Sequence, residues 1–283
     1  IKLNSFFLES SRGGIEASQS ERGASLMSRL GIPLFQPVIL YYKSAEEWLH
    51  DPQGLGSQIS WSIAMPEFEG VIEPLLIGAT RSAGDPDDEA YEAIPDRIEK
   101  LTGRVENWLR LRKKANSEKK IAFFLNNNPC ASVEATVGGG AHLDTLETVA
   151  RVMQAMKQAG YNVSPPADAK ELIKTIMDRK AISEFRWTTS DEIVKKGGTL
   201  AMVEKSEYME WFNEIPSVTQ GRMIEAWGNP PGEEKDGIPA AMLYKDKILV
   251  TGVNYGNAVV CVHPKRCCAG ARCDGHVCKI LHD

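Results

Sequence analysis

No long apolar run is present in this chain, and nothing approaches the roughly 18–20 residues needed to span a bilayer, so no membrane span is expected. Positive charge is not in excess either. The chain carries 33 basic and 38 acidic residues for a formal charge of −5, whereas a whole-protein nucleic-acid footprint draws on a strong basic excess. No initiator Met opens it, and Ile1-Lys2-Leu3-Asn4-Ser5-Phe6-Phe7-Leu8 lacks the basic, apolar and small-residue regions of a signal peptide. It reads as a segment cut from something longer. Cysteine is nearly missing before residue 261, where Cys130 stands alone. That excludes a secreted domain stapled by disulfides and predicts a cytoplasmic location. Internal repeats and low-complexity stretches are missing too. What remains is ordinary material for a core: 283 residues, 42% hydrophobic and 25% charged, enough for one large domain or two ordinary ones.

Helix-like and strand-like pieces alternate along the chain. Residues 18–30 suit a helix stopped by Gly31, and Val38-Ile39-Leu40-Tyr41-Tyr42 is a charge-free strand candidate. Ser44 followed by Glu47 has the shape of a capping box. Residues 59–65 form a second strand candidate closed by Pro66, and Leu75-Leu76-Ile77-Gly78 a third. Residues 82–89, acidic with Gly and Pro, read as an exposed loop. From Pro95 the apolar positions Ile98, Leu101, Val105, Trp108 and Leu109 recur at helical spacing. The strand Ile121-Ala122-Phe123-Phe124-Leu125 follows, then the glycines at 138–140, then a helix with the stripe Leu143, Leu146, Val149, Ala150, Met153 and Met156. Val163 is expected to start a strand, completing a right-handed βαβ unit, and residues 167–179 to form a further helix. Val218-Thr219-Gln220 is expected to precede a helix, and residues 248–253 and 258–262 to be strands. The pattern predicts an α/β fold: two Rossmann-like, three-layer α/β/α units with mostly parallel sheets, residues 1–94 (part of a larger domain) and 95–283, the second with a Cys/His-rich tail.

Three stretches carry candidate chemistry. Gly138-Gly139-Gly140-Ala141-His142-Leu143-Asp144 lies between a strand and a helix, where free N–H groups hold anions. No Lys-Ser/Thr follows the glycines and the dinucleotide spacing fails at the third glycine, so a tight turn is the other reading. The tail carries Cys261, His263, Cys267, Cys268, Cys273, His276, Cys278 and His282. Zinc or an iron–sulfur cluster would take four such ligands. The spacings are not the paired C-x2-C of common structural zinc sites, so a reduced, unmetallated tail stays open. In Met65-Pro66-Glu67-Phe68-Glu69-Gly70, carboxylates fall at the mouth of an expected strand. Among apolar neighbours such a carboxyl would have its pKa raised by desolvation, which suits a proton acceptor near neutral pH.

Five stretches together resemble the large subunit of the cobalt and magnesium chelatases, the CobN and BchH/ChlH family, which inserts a metal into a tetrapyrrole. They are Gly31-Ile32-Pro33 with Glu46-Glu47-Trp48-Leu49, Met65 to Gly70 with Glu73-Pro74, Gly138 to Asp144, Glu225-Ala226-Trp227-Gly228-Asn229-Pro230-Pro231-Gly232, and Gly256-Asn257-Ala258-Val259-Val260 ahead of Pro264. The resemblance is colinear over nearly all of residues 6–283. It implies an interior slice of a longer subunit, because members are much longer and their His-Gly-x-His-Gly segment falls downstream of residue 283. It also implies a ligase that forms nitrogen–metal bonds, in cobalamin biosynthesis if the metal is cobalt. The cysteine-rich tail favours the cobalt-type branch over the magnesium type. ATP would be hydrolysed by separate AAA+ partner subunits, leaving this segment inactive alone. By the same resemblance Glu67, then Glu69, is expected to accept a proton or present the metal. His142 is a further catalytic candidate, and Arg12 and Arg22 would pair with carboxylates of the ring. A non-enzymatic metal- or tetrapyrrole-binding scaffold built on Cys267, Cys268, Cys273, Cys278, His263 and His276 is the reading from another class.

Overall fold

Two pairs of parallel strands, each with helices in its crossover connection, organise the chain. The structure is a computed structural model describing residues 25, 28–68, 70–81, 90–127, 136–140, 142–182, 188–234, 240 and 242–263. The chain divides into two units, Ile1–Lys113 and Lys114–Asp283. This division falls after the helix at 95–113, whereas the sequence pattern places that helix in the second unit.

In the first unit, β1 (Phe35–Leu40) is a charge-free run that buries Val38 and Leu40. It leads to α1 (Ala45–His50), which begins with the expected capping box. The Ser44 hydroxyl accepts from the Glu47 N–H at 3.2 Å, and the Glu47 carboxylate accepts from the Ser44 N–H at 2.8 Å. Residues 59–65 are not a strand. They form a π-helical turn, Ser60–Ala64, running into α2 (Met65–Phe68). The alternation of Ile59, Trp61 and Ile63 with serines imitates a strand, but the buried positions are Gln58, Ser62 and Pro66, four residues apart, and Ile59 and Trp61 are exposed. The Gln58 amide donates to the Ser62 hydroxyl at 2.9 Å and to the β1 carbonyl of Ile39 at 2.7 Å. A polar inner face, hydrogen-bonded through the Gln58 amide nitrogen although the Gln58 amide oxygen has no partner among the described residues, thus accompanies the helical form.

β2 (Ile72–Thr80) then pairs parallel with β1, and β3 (Tyr91–Ala93) pairs antiparallel with β2. α3 (Pro95–Lys113) buries Leu101. Its Trp108 meets Phe35 edge-to-face, with ring centroids 6.3 Å apart. The Glu73 carboxylate accepts from Trp108 Nε1 at 3.2 Å and pairs with Arg104. Of the helix expected over 18–30, residues 25 and 28–30 are helical; 18–24 and 26–27 lie outside the described residues, as does the acidic stretch 82–89.

The second unit runs β4 (Ile121–Leu125), α4 (Thr145–Gln158), α5 (Ala169–Asp178), α6 (Ser190–Lys196), β5 (Thr199–Val203), α7 (Lys205–Glu214), α8 (Ser217–Trp227), β6 (Leu243–Tyr244), β7 (Lys247–Thr251), β8 (Val253–Asn254) and β9 (Ala258–Val262). β4 pairs parallel with β9, not with a strand at Val163, and β8 pairs antiparallel with β9. Val163 makes only an isolated bridge to Gly256. Pro165 and Pro166 follow it and bring no N–H to a ladder. A second sheet, in the order β5-β7-β6, is antiparallel throughout. The expected strand at 248–253 is two strands in two sheets. They separate at Gly252, where a Cβ would come within 2.7 Å of the Val260 carbonyl oxygen. Val218-Thr219-Gln220 lies within α8 rather than ahead of it.

The core of this unit gathers Leu125, Met153, Leu172, Ile176, Val253 and Val260. It buries the apolar stripes of α4 and α5 against one face of the β4/β9 sheet. On the other face Phe124 is 72% exposed, so the described residues do not complete a third layer there. The α/β class holds, but among the described residues four of the six strand pairings are antiparallel, where mostly parallel sheets were expected.

Candidate functional site

Glu67 sits in α2, one short turn ahead of β2. The turn is closed by backbone bonds. The Gly70 N–H donates to the Glu67 carbonyl at 2.9 Å, and the Val71 N–H donates to the Pro66 carbonyl at 3.1 Å. Pro66 is fully buried and anchors the turn, while Glu67 is exposed to solvent. The apolar surroundings expected for Glu67 are therefore absent among the described residues, because the segment before it is helical. Glu69 lies outside them. The third carboxylate of this stretch, Glu73, is structural. Held in a left-handed backbone conformation (φ 55°), it ties β2 to α3 through Trp108 and Arg104.

The carboxyl ends of β4 and β9, with the start of α4, make a second locus. Ligands of open α/β sheets bind at this kind of edge. The Gly138 N–H donates to the Asn126 carbonyl at 2.7 Å, the Asn126 amide donates to the Gly139 carbonyl at 3.2 Å, and the Thr136 hydroxyl donates to the buried Asn127 amide oxygen at 3.0 Å. Gly138 is in the left-handed region, and a Cβ there would meet the Thr145 side chain at 3.2 Å. The His263 N–H donates to the Leu125 carbonyl at 2.8 Å. His142 and His263 are both exposed; His142 lies in the turn ahead of α4 and His263 directly follows β9. Asp144 caps α4, its carboxylate accepting from the Glu147 N–H at 3.2 Å. The helix start thus already holds a negative charge where a bound anion would sit. Of the two readings of the glycine stretch, the tight turn is the one this geometry fits.

α4 and α5 are tied beside this edge by Glu147. Its carboxylate pairs with Arg151 at 2.7 Å and accepts from the Ala169 N–H at 3.1 Å. The Arg151 hydrogen bond, then the Ala169 N–H, holds the Glu147 carboxyl below the usual glutamate range. Burial pushes the Cys261 thiol on β9 up, which makes it a core side chain and a poor thiolate.

A third feature is an apolar pocket of about 240 Å³, lined by Tyr208 and Phe212 of α7, Met223 and Trp227 of α8, Pro230, Pro231 and Met242, among others. In the sequence, the Trp227–Gly232 stretch stands out only for its resemblance. The spacing of Tyr208 and Phe212, four apart on a helix, was the available signal that they share a face with it.

Among the described residues no three His, Cys, Asp or Glu side chains converge as metal ligands. Cys267, Cys268, Cys273, His276 and Cys278 lie outside those residues, as do Arg12 and Arg22. The structure thus brings His142 and His263 to one sheet edge in the second unit and places Glu67 in the first. No described helix is long and apolar enough to cross a membrane.

Comparison with known proteins adds a direct result. The CobN/Magnesium Chelatase family profile matches residues 1–283. An uncharacterized protein of Methanocaldococcus jannaschii is 48% identical over 266 residues, covering 92% of this chain and 21% of that protein. The chloroplastic magnesium-chelatase subunit ChlH of Oryza sativa is 28% identical, covering 89% of this chain and 16% of that one. The aerobic cobaltochelatase subunit CobN of Pseudomonas aeruginosa is 26% identical, covering 84% and 18%. The chain therefore spans about a fifth of the length of these curated relatives. In fold it is similar to the catalytic subunit of cobaltochelatase from Mycobacterium tuberculosis, with a TM-score of 0.64 at 24% identity, over 85% of this chain and 19% of that one.

Proposed function

The chain belongs to the CobN/magnesium chelatase family, and from that premise we propose that it is a working segment of the large subunit of a metal chelatase, a ligase that inserts a divalent metal into a tetrapyrrole. The family match along the whole chain carries this reading. In the reaction two pyrrolic protons leave the ring, a hydrated cation sheds its water, and metal–nitrogen bonds form. A carboxylate beside the ring takes one proton as the metal enters, and the other passes to water. We assign that role to Glu67, whose exposed carboxylate stands on a turn fixed by the buried Pro66 and two backbone hydrogen bonds. Glu69 and His142 are the supporting candidates. Arg12 and Arg22 are proposed to hold the ring's carboxylates, since a guanidinium forms paired hydrogen bonds with a carboxylate.

Cobalt is the proposed metal, on the resemblance of the cysteine-rich tail to cobalt-type members. Relatives named for either metal match at similar identity, so an insertion assay with both metals decides between them. ATP hydrolysis is assigned to separate AAA+ partner subunits and the location to the cytoplasm.

The test is insertion by the full-length subunit with its ATPase partners, followed by the absorbance change of the ring. Cobalt insertion that needs ATP is expected. No insertion of either metal would remove the proposal.

A further inference from the structure

The turn at Trp227–Gly232 belongs to a stretch of the resemblance to which the metal-insertion chemistry gives no role, and it forms a wall of the apolar pocket in the second unit. The turn is held by its own bonds. The Gly228 N–H donates to the Ile224 carbonyl, the Glu233 N–H to the Trp227 carbonyl and the Gly232 N–H to the Asn229 carbonyl, each at 2.8 Å. The Asn229 amide donates to the Glu233 carboxylate at 2.6 Å. Both glycines are required. A Cβ on Gly228 would fall 2.6 Å from the Glu233 Cβ, and one on Gly232 2.6 Å from the Ala240 Cβ. Trp227 is thereby fixed at the end of α8, with Pro230 and Pro231 beside it and the Tyr208–Phe212 pair of α7 also in the lining.

We propose that this pocket seats one apolar edge of the tetrapyrrole, a single pyrrole with its alkyl substituents, against Trp227, Tyr208 and Phe212. The identity of the ring rests on the chelatase reading; the pocket itself does not.

Three observations select this occupant. The described lining residues carry no charged side chain, so an apolar edge suits them better than the ring's carboxylates, which remain solvated outside. At about 240 Å³ the pocket is smaller than the roughly 300–1,000 Å³ that encloses a whole drug-sized ligand, so it takes an edge and not the whole macrocycle. Three aromatic side chains and two prolines offer flat faces to a flat conjugated ligand. Tyr208 supplies the one hydroxyl among the described lining residues; it is half-buried and burial pushes its pKa up, so it stays uncharged and presents an aromatic ring to the pocket. All of the described lining residues belong to the second unit.

The experiment is a titration of the 283-residue chain, labelled at its methionine methyl groups, with metal-free deuteroporphyrin IX, read by NMR. A macrocycle in the pocket moves the Met223 and Met242 methyl signals strongly by its ring current, while the other seven of the nine methionines stay still. Saturable shifts confined to these two are the expected result. Tyr208→Leu, which removes one aromatic face, should weaken the titration about 2- to 10-fold, the worth of one aromatic contact, and Met223→Trp, which fills the pocket, should weaken it at least ~10-fold. Shifts elsewhere only, or no saturable shift in the unmutated chain, overturn the proposal without any variant having to fold. Insertion by the full-length subunit without these shifts removes the pocket alone. Shifts without insertion remove the chelatase reading alone.

Discussion

Gly232 has a φ of 134° and a prospective Cβ 2.6 Å from the Ala240 Cβ, so the turn beside Trp227 tolerates no side chain there. Gly232→Ala is expected to destabilise the chain by about 1–3 kcal/mol, measured by urea unfolding; an unchanged midpoint would mean that the turn is looser than described. Glu73 makes a different case. The sequence presents it beside Glu67 and Glu69 as one more carboxylate of a chemical stretch, yet it binds Trp108 and Arg104. Glu73→Gln should cost about 1.5–3 kcal/mol of stability, the scale of a hydrogen bond to a charged group, and leave the rate of metal insertion by the folded full-length subunit unchanged. Loss of insertion at full stability would place Glu73 in the chemistry instead. Residue type marks these glutamates, but their surroundings are set by the helix ahead of them, whose sequence has the look of a strand.

That helix shows what an element-level pattern can hide. Residues 59–65 alternate apolar and small polar side chains as a half-buried strand does, but the interior is occupied by Gln58 and Ser62, whose hydrogen bonds replace apolar burial. A buried amide leaves no mark in a hydrophobic period. α4, by contrast, was legible as an element, because its stripe of Val149, Ala150, Met153 and Met156 is long and buried on one side, although Leu143, expected to begin that stripe, lies ahead of the helix and is exposed. Its cap gives a test: Asp144→Ala should lower stability by about 0.5–2 kcal/mol in the same urea measurement. Glu147 adds a pH dependence. Its carboxyl is held below the usual range by the Arg151 hydrogen bond first and the Ala169 N–H second. Its contribution is therefore fully present above the unfolded glutamate pKa and is lost as pH falls through the lower, folded value. Glu147→Gln should accordingly melt below the unmutated chain at neutral pH and converge with it in acid. A gap that persists after the carboxyl is protonated would assign the effect to packing.

For the whole molecule, class and approximate element order were legible, and strand pairing was not. β4 finds its parallel partner in β9, far along the chain, while the nearby Val163 segment is excluded by its prolines. No local pattern encodes a pairing of that span. The family was legible because five short stretches fall in one order; the pocket was not, because Tyr208, Met223, Trp227 and Met242 come together only through the fold. The central claim is that this segment helps to insert a metal, with Glu67 taking the proton. The most direct test follows metal insertion and tetrapyrrole binding side by side in the full-length Glu67→Ala subunit with its ATPase partners. Insertion should be abolished while tetrapyrrole affinity stays at the unmutated level. Insertion at the unmutated rate would contradict the account and remove Glu67 from the mechanism.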